Sequence, residues 1–352
     1  MASGEGREHQ AMMAPPDRVR VVVPDDFPAV YGSVAHPDLE RLRRHPRVAA
    51  VELYGTRAAS DDELVERLEH ADVVINVRSY SSFSAAVLER LPRLRLLSIL
   101  GTGTDNVDLE AATRLGVVVT NTPGASTVSV AELTIALMLA AARHVALHDR
   151  KVRAGEWHHR EGMELRGKTL GVVGLGAIGQ EVARLGKALG MRVLGWSLHY
   201  HPARAQALGI ELAETLENVL AQADVLTLHL RASPQTAGLI GERQLAMMKP
   251  GAVLVNTARG ALVDETALIE ALQRGHLAAA GLDVYVHEPL GGQSPWLGVE
   301  NVVLSPHVGW VTAEASARLM RLPVDNIIAW LEARPQHVVN RAVLESSRAR
   351  GM

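Results

Sequence analysis

The sequence predicts an α/β protein built on two doubly wound parallel β-sheets, with helices on both faces of each sheet. Short runs of β-branched residues recur along the chain, segments of helical periodicity separate them, and the series starts again after residue 168. The chain has 352 residues, of which 47% are hydrophobic and 21% charged. It is therefore long enough for two domains, each with its own core.

The first series of strands and helices is expected to cover residues 18–122. Ser60 stands before a run of acidic residues, which predicts a helix over 60–70 that Ser60 caps. Residues 1–17 lack the apolar centre of a secretory signal, and we expect them to form a flexible tail. The predicted strands of this series are the apolar runs at 19–24, 48–53, 73–77, 94–100 and 116–121.

A long apolar segment at 126–148 is predicted to be one helix, buried because apolar residues nearly encircle it. We expect it to pack between domains or between the subunits of a homodimer. A helix predicted over 312–333 follows the last strand of the second series and is placed to return to the first domain. The predicted strands of the second series lie at 169–174, 192–196, 225–230, 252–258, 279–284 and 301–306.

Composition argues against several classes of function. The net charge of −3 gives no reason to expect a nucleic-acid partner, and no apolar run reaches the roughly 18 residues that span a membrane. The chain has no cysteine, which excludes thiolate chemistry and suits the cytoplasm. His144 and His148 have the spacing of metal ligands on a helix, but no third ligand accompanies them. We therefore expect no metal.

A glycine-rich loop marks a candidate cofactor site. Residues 168–179 read KTLGVVGLGAIG, with an apolar strand before the loop and a helical pattern after it. This context is the one that the dinucleotide-binding fingerprint requires. Gly174 would permit the tight turn, Gly176 would let the backbone approach a pyrophosphate, and Gly179 would allow close helix packing. The pattern indicates NAD(H) or NADP(H) as cofactor, bound at the helix N-terminus.

The residue expected beside the adenosine ribose is Ser197. The fingerprint usually has an acid about 20 residues further on, which binds the ribose hydroxyls. Here no acid lies between Glu181 and Glu211. Because a serine does not repel a 2′-phosphate, NAD(H) and NADP(H) both remain open.

Six motifs in order resemble the D-isomer-specific 2-hydroxyacid dehydrogenases, relatives of phosphoglycerate dehydrogenase and of glyoxylate/hydroxypyruvate reductase. They are GTGTDNVDLEAATRLGVVVTNTPG (101–124), VAELTIALML (130–139), the glycine-rich loop, the segment around NTARG (245–272), AAGLDVYVHEP (279–289) and NVVLSPHVGWVT (301–312). The resemblance implies two Rossmann-like domains. A nucleotide-binding domain at 123–307 would be inserted into a flavodoxin-like substrate domain formed by 18–122 and 308–345, and the protein would be a dimer.

The resemblance assigns the chemistry to Arg259, Glu288 and His307. A 2-keto acid presents a carboxylate beside a ketone, and Arg259 offers it a planar, charged fork. The alkoxide formed by hydride transfer needs a proton, and an imidazole, with a reference pKa of about 6.5, is the natural acid. Glu288 would orient the ring and favour its charged form. We therefore expect interconversion of 2-keto acids and D-2-hydroxy acids, glyoxylate and hydroxypyruvate among the candidate substrates.

Further contacts follow from the resemblance alone. Those expected to the cofactor are Thr102, Ala177, Ile178, Leu230, Thr257, Ala258, Asp283 and Gly309. Those expected to the substrate, besides Arg259, are Arg78, Ser79 and the backbone of Gly103.

Two alternatives stay open on the same fold. One is oxidation of phosphite or formate, although formate dehydrogenases that resemble this family carry glutamine where Glu288 stands. The other is a nicotinamide-sensing scaffold, which would keep the three catalytic residues.

Overall fold

A computed structural model describes residues 18–78, 80–199 and 202–348. The described residues up to Ala125 and those from Ala313 onward form one compact unit, and Ser126–Thr312 form the other. Both crossings between the units lie slightly later in the chain than the boundaries expected after 122 and 307. The expected tail at 1–17 lies outside the described residues.

The strands follow the apolar runs closely. They are β1 (Val19–Val23), β2 (Val48–Leu53), β3 (Val73–Val77), β4 (Leu96–Leu100), β5 (Val118–Thr120), β6 (Thr169–Val173), β7 (Arg192–Trp196), β8 (Glu211–Leu212), β9 (Val225–Leu228), β10 (Ala252–Asn256), β11 (Leu277–Leu282) and β12 (Val302–Leu304).

The helices alternate with the strands. They are α1 (Pro37–Arg43), α2 (Asp61–Leu68), α3 (Ala85–Glu89), α4 (Leu109–Arg114), α5 (Thr127–Ala142), α6 (Val145–Arg153), α7 (Ala177–Ala188), α8 (Pro202–Leu208), α9 (Leu216–Gln222), α10 (Glu242–Met247), α11 (Glu265–Gln273), α12 (Ala313–Leu331) and α13 (Ala342–Arg348). Short 3-10 turns lie at Gly260–Leu262 and Pro295–Gly298.

The first unit contains a five-stranded sheet in the order β2-β1-β3-β4-β5, and its strand pairs are parallel. This is the flavodoxin-like order. Ser60 caps α2 as predicted, because its side chain accepts a hydrogen bond of 3.2 Å from the backbone amide of Glu63. The core on one side of the sheet gathers around Phe83, which is fully buried among valine and leucine side chains of the strands.

The second unit contains a seven-stranded sheet in the order β12-β11-β10-β9-β6-β7-β8, again with parallel pairs. Neighbouring residues of its central strands belong to different buried clusters: Leu226 and Leu254 to one, Val225 and Val253 to the other. Because side chains alternate along a strand, this sheet is covered on both faces. The predicted fold, α/β with two doubly wound parallel sheets, is confirmed.

The prediction of one helix over 126–148 is wrong. Helix α5 ends at Ala142, and His144 takes a left-handed conformation with φ of 51° before α6 begins. The carbonyl oxygen of Ala142 accepts a hydrogen bond of 2.8 Å from the amide of Met163 instead of continuing the helical series. A neighbouring segment of the chain therefore decides where the helix breaks.

Burial of this segment is also only partial. Val128 of α5 and Val145 of α6 are each about half exposed. No single helix in the described part of the chain is long and apolar enough to cross a membrane. Helices α5 and α6 reach that length and hydropathy only when taken together, and they are bent by 62° relative to each other.

Candidate active site

The glycine-rich loop lies at the centre of the second sheet, between β6 and α7. Gly174 has φ of +103°, and a Cβ placed there would lie 2.7 Å from the backbone of His229, which follows β9. A Cβ at Gly179 would lie 1.9 Å from the carbonyl oxygen of Gly174. Both positions therefore require glycine, one for backbone conformation and packing and the other for close approach of the helix to the loop.

Gly176 differs from the other two glycines because it faces open space. A Cβ at Gly176 would meet no atom of the protein within 4 Å, and the residue is exposed. It is the N-cap of α7, where no side chain caps the helix, so the amides of the first turn, including those of Ala177 and Ile178, remain available to a ligand. A cradle of backbone amides that a side chain would fill fits the pyrophosphate of a dinucleotide.

The carboxyl ends of β7 and β9 flank this loop. Ser197 follows β7 and is half-buried, in the place expected for the residue beside the ribose. An Arg204 guanidinium nitrogen lies 3.4 Å from the carbonyl oxygen of Leu175, inside the glycine-rich loop. Leu230 follows β9 and packs partly buried against the core. The sheet changes its winding direction between β6 and β9, where open α/β sheets bind their ligands.

Arg259 follows β10 at the same edge of the sheet. The side-chain amide of Asn256, the last residue of β10, donates to the Arg259 carbonyl over 2.8 Å, and its oxygen accepts from the Ala258 amide. A Cβ at Gly260 would lie 2.0 Å from the backbone of Tyr285. This contact brings the loop that carries Arg259 against the loop that follows β11. Thr257 is buried beside Thr134 of α5, with 2.8 Å between the two hydroxyl oxygens.

Glu288 and His307 form a direct pair, although they lie on different loops. Nδ1 of His307 lies 2.7 Å from Oε2 of Glu288, and the other carboxylate oxygen accepts a 2.9 Å hydrogen bond from the amide of Tyr285. Burial raises the pKa of Glu288, but the hydrogen bonds from His307 and Tyr285 and the charge of Arg259 outweigh it and lower this pKa overall. Glu288 is therefore a carboxylate at neutral pH, and it accepts a hydrogen bond from the protonated Nδ1 of His307.

Asp283 holds the loop that carries His307. It is buried directly after β11, and its carboxylate accepts hydrogen bonds from the Ser305 hydroxyl at 2.6 Å and from the amides of Val308 and Gly309 at 2.9 Å each. His307 has φ of 55°, in the left-handed region that costs a non-glycine residue about 1–2 kcal/mol. The two amides that follow His307 converge on one carboxylate and stabilise this conformation.

Tyr285 is a positioning residue that sequence reasoning missed. Its hydroxyl donates to the carbonyl oxygen of Ser305, 2.9 Å away, and lies 3.2 Å from the carbonyl oxygen of Leu282, so it joins the ends of β11 and β12. Burial, with the nearby Asp283 carboxylate, raises the pKa of Tyr285, so the hydroxyl keeps its proton. Tyr285 lies between Asp283 and Glu288 in the sequence, but no motif or spacing pattern indicates that it positions the neighbouring loops.

Three residues that were expected to contact the substrate or the cofactor belong to the first unit. Arg78 follows β3 with φ of 55°, and Thr102 and Gly103 follow β4, the neighbouring strand. The backbone oxygen of Thr102 accepts a hydrogen bond of 2.8 Å from the side chain of Asn121. These residues therefore share the carboxyl edge of the five-stranded sheet. Ser79 lies outside the described residues.

Within the described ranges, no group of three or more histidine or carboxylate side chains is arranged to hold a metal ion. His144 and His148 are in edge-to-face ring contact, with 6.4 Å between centroids. Burial, together with the charge of Arg160, lowers the pKa of His144. The two imidazole rings thus pack against each other beside the break between α5 and α6.

Comparison with known proteins places these features in one family. Residues 135–309 match the family model described as D-isomer specific 2-hydroxyacid dehydrogenase, NAD binding domain. The chain is 42% identical over 294 residues to a glyoxylate reductase of Aeropyrum pernix, a match that covers 81% of this chain and 87% of that protein. The chain therefore belongs to the D-isomer specific 2-hydroxyacid dehydrogenase family. Its cofactor is NAD(H) or NADP(H).

Two further proteins are similar to this chain. A D-3-phosphoglycerate dehydrogenase of Archaeoglobus fulgidus is 40% identical over 317 residues, and the match covers 89% of this chain and 60% of that protein. The chain thus spans less than two thirds of the length of that relative. Among solved structures, an acyclic imino acid reductase in complex with NADPH and D-Arg is 28% identical, with a TM-score of 0.81. That match covers 91% of this chain and 99% of the other.

Proposed function

We propose that this protein is an NAD(P)-dependent oxidoreductase that interconverts 2-keto acids and D-2-hydroxy acids. The observation that carries the proposal is the 2.7 Å contact between His307 Nδ1 and Glu288 Oε2, within the electrostatic range of Arg259. An acid, the group that orients it and a carboxylate-binding cation thus meet at the ligand-binding edge of a dinucleotide-binding sheet. The relatives named glyoxylate reductase and phosphoglycerate dehydrogenase support the same class.

Arg259 binds the substrate carboxylate and polarises the adjacent ketone. A guanidinium offers two parallel donors to a carboxylate, and its charge persists at any working pH. The bond between Asn256 and the Arg259 carbonyl holds the backbone at the end of β10. The Arg259 side chain therefore starts from an anchored position.

His307 supplies the proton. Its Nδ1 is bound to the Glu288 carboxylate, so Nε2 is the nitrogen that exchanges a proton with the substrate oxygen. When bound, the nicotinamide cofactor supplies or accepts the hydride at the substrate carbon. In reduction, the Nε2 proton goes to the carbonyl oxygen, the carbon–oxygen double bond becomes a single bond, and the neutral imidazole keeps the Nδ1 proton. Oxidation of the hydroxy acid runs through the same groups in reverse.

Two finer features belong to the same proposal. We propose a homodimer that covers the exposed apolar side chains of the segment from α5 to residue 157. These side chains are Val128, Leu139, Val145, Val152 and Trp157. We also propose action in the cytoplasm on a small-molecule acid, without nucleic-acid or membrane partners, which the cysteine-free composition and near-neutral net charge support.

The test is turnover of a substrate panel. Glyoxylate, hydroxypyruvate, pyruvate and phenylpyruvate are each supplied with NADH and with NADPH, and the loss of reduced-nicotinamide absorbance is followed. We expect turnover with at least one acid. No turnover across the panel, with cofactor binding intact, would contradict the dehydrogenase and favour a nicotinamide-sensing scaffold. Phosphite and formate are tested separately with NAD+ and NADP+, and turnover of either one without turnover of any keto acid would favour the other alternative.

A variant separates chemistry from binding. His307→Gln removes the acid while keeping a polar side chain, and we expect kcat to fall by about 10²–10⁴-fold. The dissociation constant for the reduced cofactor should stay within about twofold of the original, because the glycine-rich loop is untouched. If the variant lost cofactor binding instead, His307 would belong to the cofactor site rather than to proton transfer.

A further inference from the structure

One face of helix α5 contacts two loops at the carboxyl edge of the second sheet, and all of these segments belong to the second unit. Val130 and Thr134 lie four residues apart on α5, so they share a face of the helix, and both are buried. The Val130 side chain lies against the loop after His307, because a Cβ placed at Gly309 would lie 3.2 Å from it. Thr134 contacts the loop after β10, at Thr257.

The hydroxyl of Thr134 acts as an acceptor toward Thr257. It donates to the carbonyl oxygen of Val130, 2.8 Å away, and it lies 2.8 Å from the hydroxyl oxygen of Thr257. A hydroxyl has a single proton, so the proton of the second hydrogen bond comes from Thr257. Thr257 is buried as well. Loss of the Thr134 oxygen would therefore leave a buried donor without its acceptor.

The turn that carries Arg259 is held by two kinds of hydrogen bond. The side chain of Asn256 donates to the Arg259 carbonyl over 2.8 Å and accepts from the Ala258 amide over 3.0 Å. These bonds join residues of one turn, so they set its shape. The bond from Thr257 to Thr134 joins the turn to a separate helix, so it sets where the turn lies relative to α5.

Helix α5 is a fixed reference for both loops. A Cβ placed at Gly281 of β11 would lie 2.9 Å from the side chain of Leu137, so the helix is in close contact with the sheet and cannot move nearer to it. In the proposed function, Arg259 and His307 act on neighbouring atoms of one substrate. Misplacement of such a group by about 1 Å can cost about 100-fold in rate.

We propose that Thr134 is a positioning residue for the reaction. Its hydroxyl holds Thr257, and with it the turn that carries Arg259, in the position relative to His307 that the substrate requires. The proposal rests on the proposed function and adds to it one hydrogen bond between α5 and the loop after β10.

Three variants test the hydroxyl pair, with the keto acid that the wild type turns over best. Thr134→Val keeps the branched shape but removes the acceptor, and we expect kcat/KM to fall about tenfold, less than for a displacement of about 1 Å. Thr257→Val removes the donor of the same bond and should give a similar loss. Thr134→Ser keeps the hydroxyl and should stay within about twofold of the wild type. The midpoint of the pH profile of kcat should be the same in Thr134→Val, because the contact between Glu288 and His307 is untouched.

A double-mutant cycle tests whether Thr134 acts through Arg259. Arg259→Lys keeps the positive charge but loses the planar fork, and its residual turnover is the reference. If Thr134 acts by placing the guanidinium, Thr134→Val should change kcat/KM of Arg259→Lys by less than about twofold. A loss of about tenfold in both backgrounds would overturn the proposal, because the two residues would then act independently.

Ser98→Ala is the matched control for the loss of a buried hydroxyl. Ser98 of β4, in the first unit, is fully buried, and its hydroxyl likewise has one hydroxyl partner, Thr120 at 3.1 Å, and one carbonyl partner, Pro323 at 3.2 Å. Its loss should lower the melting temperature, as in Thr134→Val, but leave kcat/KM unchanged.

Three results would overturn the positioning role. They are an unchanged kcat/KM in Thr134→Val, a loss in Thr134→Ser as large as in Thr134→Val, and an equal loss in Ser98→Ala. Absence of turnover by the wild type with every acid would overturn the proposed function instead, which is a different result.

Discussion

Oδ2 of Asp283 accepts a 2.9 Å hydrogen bond from the backbone amide of Gly309, and this bond joins the end of β11 to the loop that carries His307. Oδ1 of Asp283 accepts from the neighbouring amide of Val308. The backbone of His307 lies in the left-handed region, and the buried carboxylate of Asp283 stabilises it there through the two amides that follow. Asp283 therefore positions His307, the residue proposed to donate the proton.

The first prediction concerns this positioning. Asp283→Asn keeps the shape of the side chain but turns one acceptor into a donor that faces a backbone amide. We expect the free energy of unfolding to fall by about 1–3 kcal/mol, the usual result of leaving buried polar groups unpaired, and kcat to fall at least about tenfold. Urea unfolding and steady-state kinetics measure the two effects.

Asp224→Asn serves as the control for this change. Asp224 stands before β9, at the opposite edge of the same sheet, and accepts a 2.8 Å hydrogen bond from the amide of Thr169. Its replacement should destabilise the fold without lowering kcat of the folded protein. Equal kinetic losses in the two variants would show that Asp283 acts only through stability.

The second prediction separates two glycines of the cofactor loop. Gly179→Ala places a Cβ against the carbonyl of Gly174, so both thermal stability and cofactor affinity should fall. Gly176→Ala meets no protein atom and has φ of −72°, which alanine adopts freely, so its melting temperature should change little. Its cofactor affinity should still fall about tenfold or more, because the methyl group occupies the approach to the pyrophosphate. Unchanged NADH affinity in Gly176→Ala, measured by fluorescence titration, would place the pyrophosphate elsewhere.

The third prediction concerns the form of the cofactor. Ser197→Asp introduces a carboxylate beside the ribose, where it repels a 2′-phosphate and accepts from a 2′-hydroxyl. We expect the dissociation constant for NADPH to rise about tenfold or more, and that for NADH to stay equal or fall. Ser197→Ala, which adds no charge, should shift the two constants equally. Parallel weakening of NADH and NADPH by the aspartate would show that Ser197 lies away from the ribose.

The fourth prediction concerns pH and stability. Burial lowers the pKa of His229, beside the glycine-rich loop, to about 3. In the unfolded chain a histidine takes up its proton near pH 6.5, so between about pH 6.5 and 3 only the unfolded state is protonated at this site. Stability from neutral His229 is therefore complete above about pH 6.5. It is lost at about 1.4 kcal/mol per pH unit as the pH falls through that window.

His229→Gln should remove this component. Urea unfolding of wild type and variant at about pH 8, 6.5 and 5 gives the difference in slope, because the other titrating groups are common to both. His70→Gln, at an exposed site after α2, should leave the slope as in the wild type. A wild-type slope in His229→Gln would mean that His229 is solvated.

The sequence by itself determined the elements whose signals are local. β2, β3 and β7 begin and end at the predicted residues, because a short, mainly apolar run is a local signal for a strand. The cap at Ser60 and the conformational need for Gly174 are equally local, since each depends on atoms within a few residues or on the backbone itself. The family motifs brought Arg259, Glu288 and His307 together as one hypothesis, and the structure brings Glu288 and His307 into contact.

Only the tertiary structure decided the features in which distant segments compete or cooperate. The helix predicted over 126–148 breaks where the amide of Met163 donates a hydrogen bond to the carbonyl oxygen of Ala142. Helical periodicity does not reveal this hydrogen bond. Tyr285 and Asp283 likewise owe their roles to contacts between loops that follow different strands. Parallel strands bring their carboxyl ends to one edge of a sheet, so residues far apart in sequence meet there. Which of these residues contact each other depends on how the loops pack, and this information is absent from the local sequence pattern.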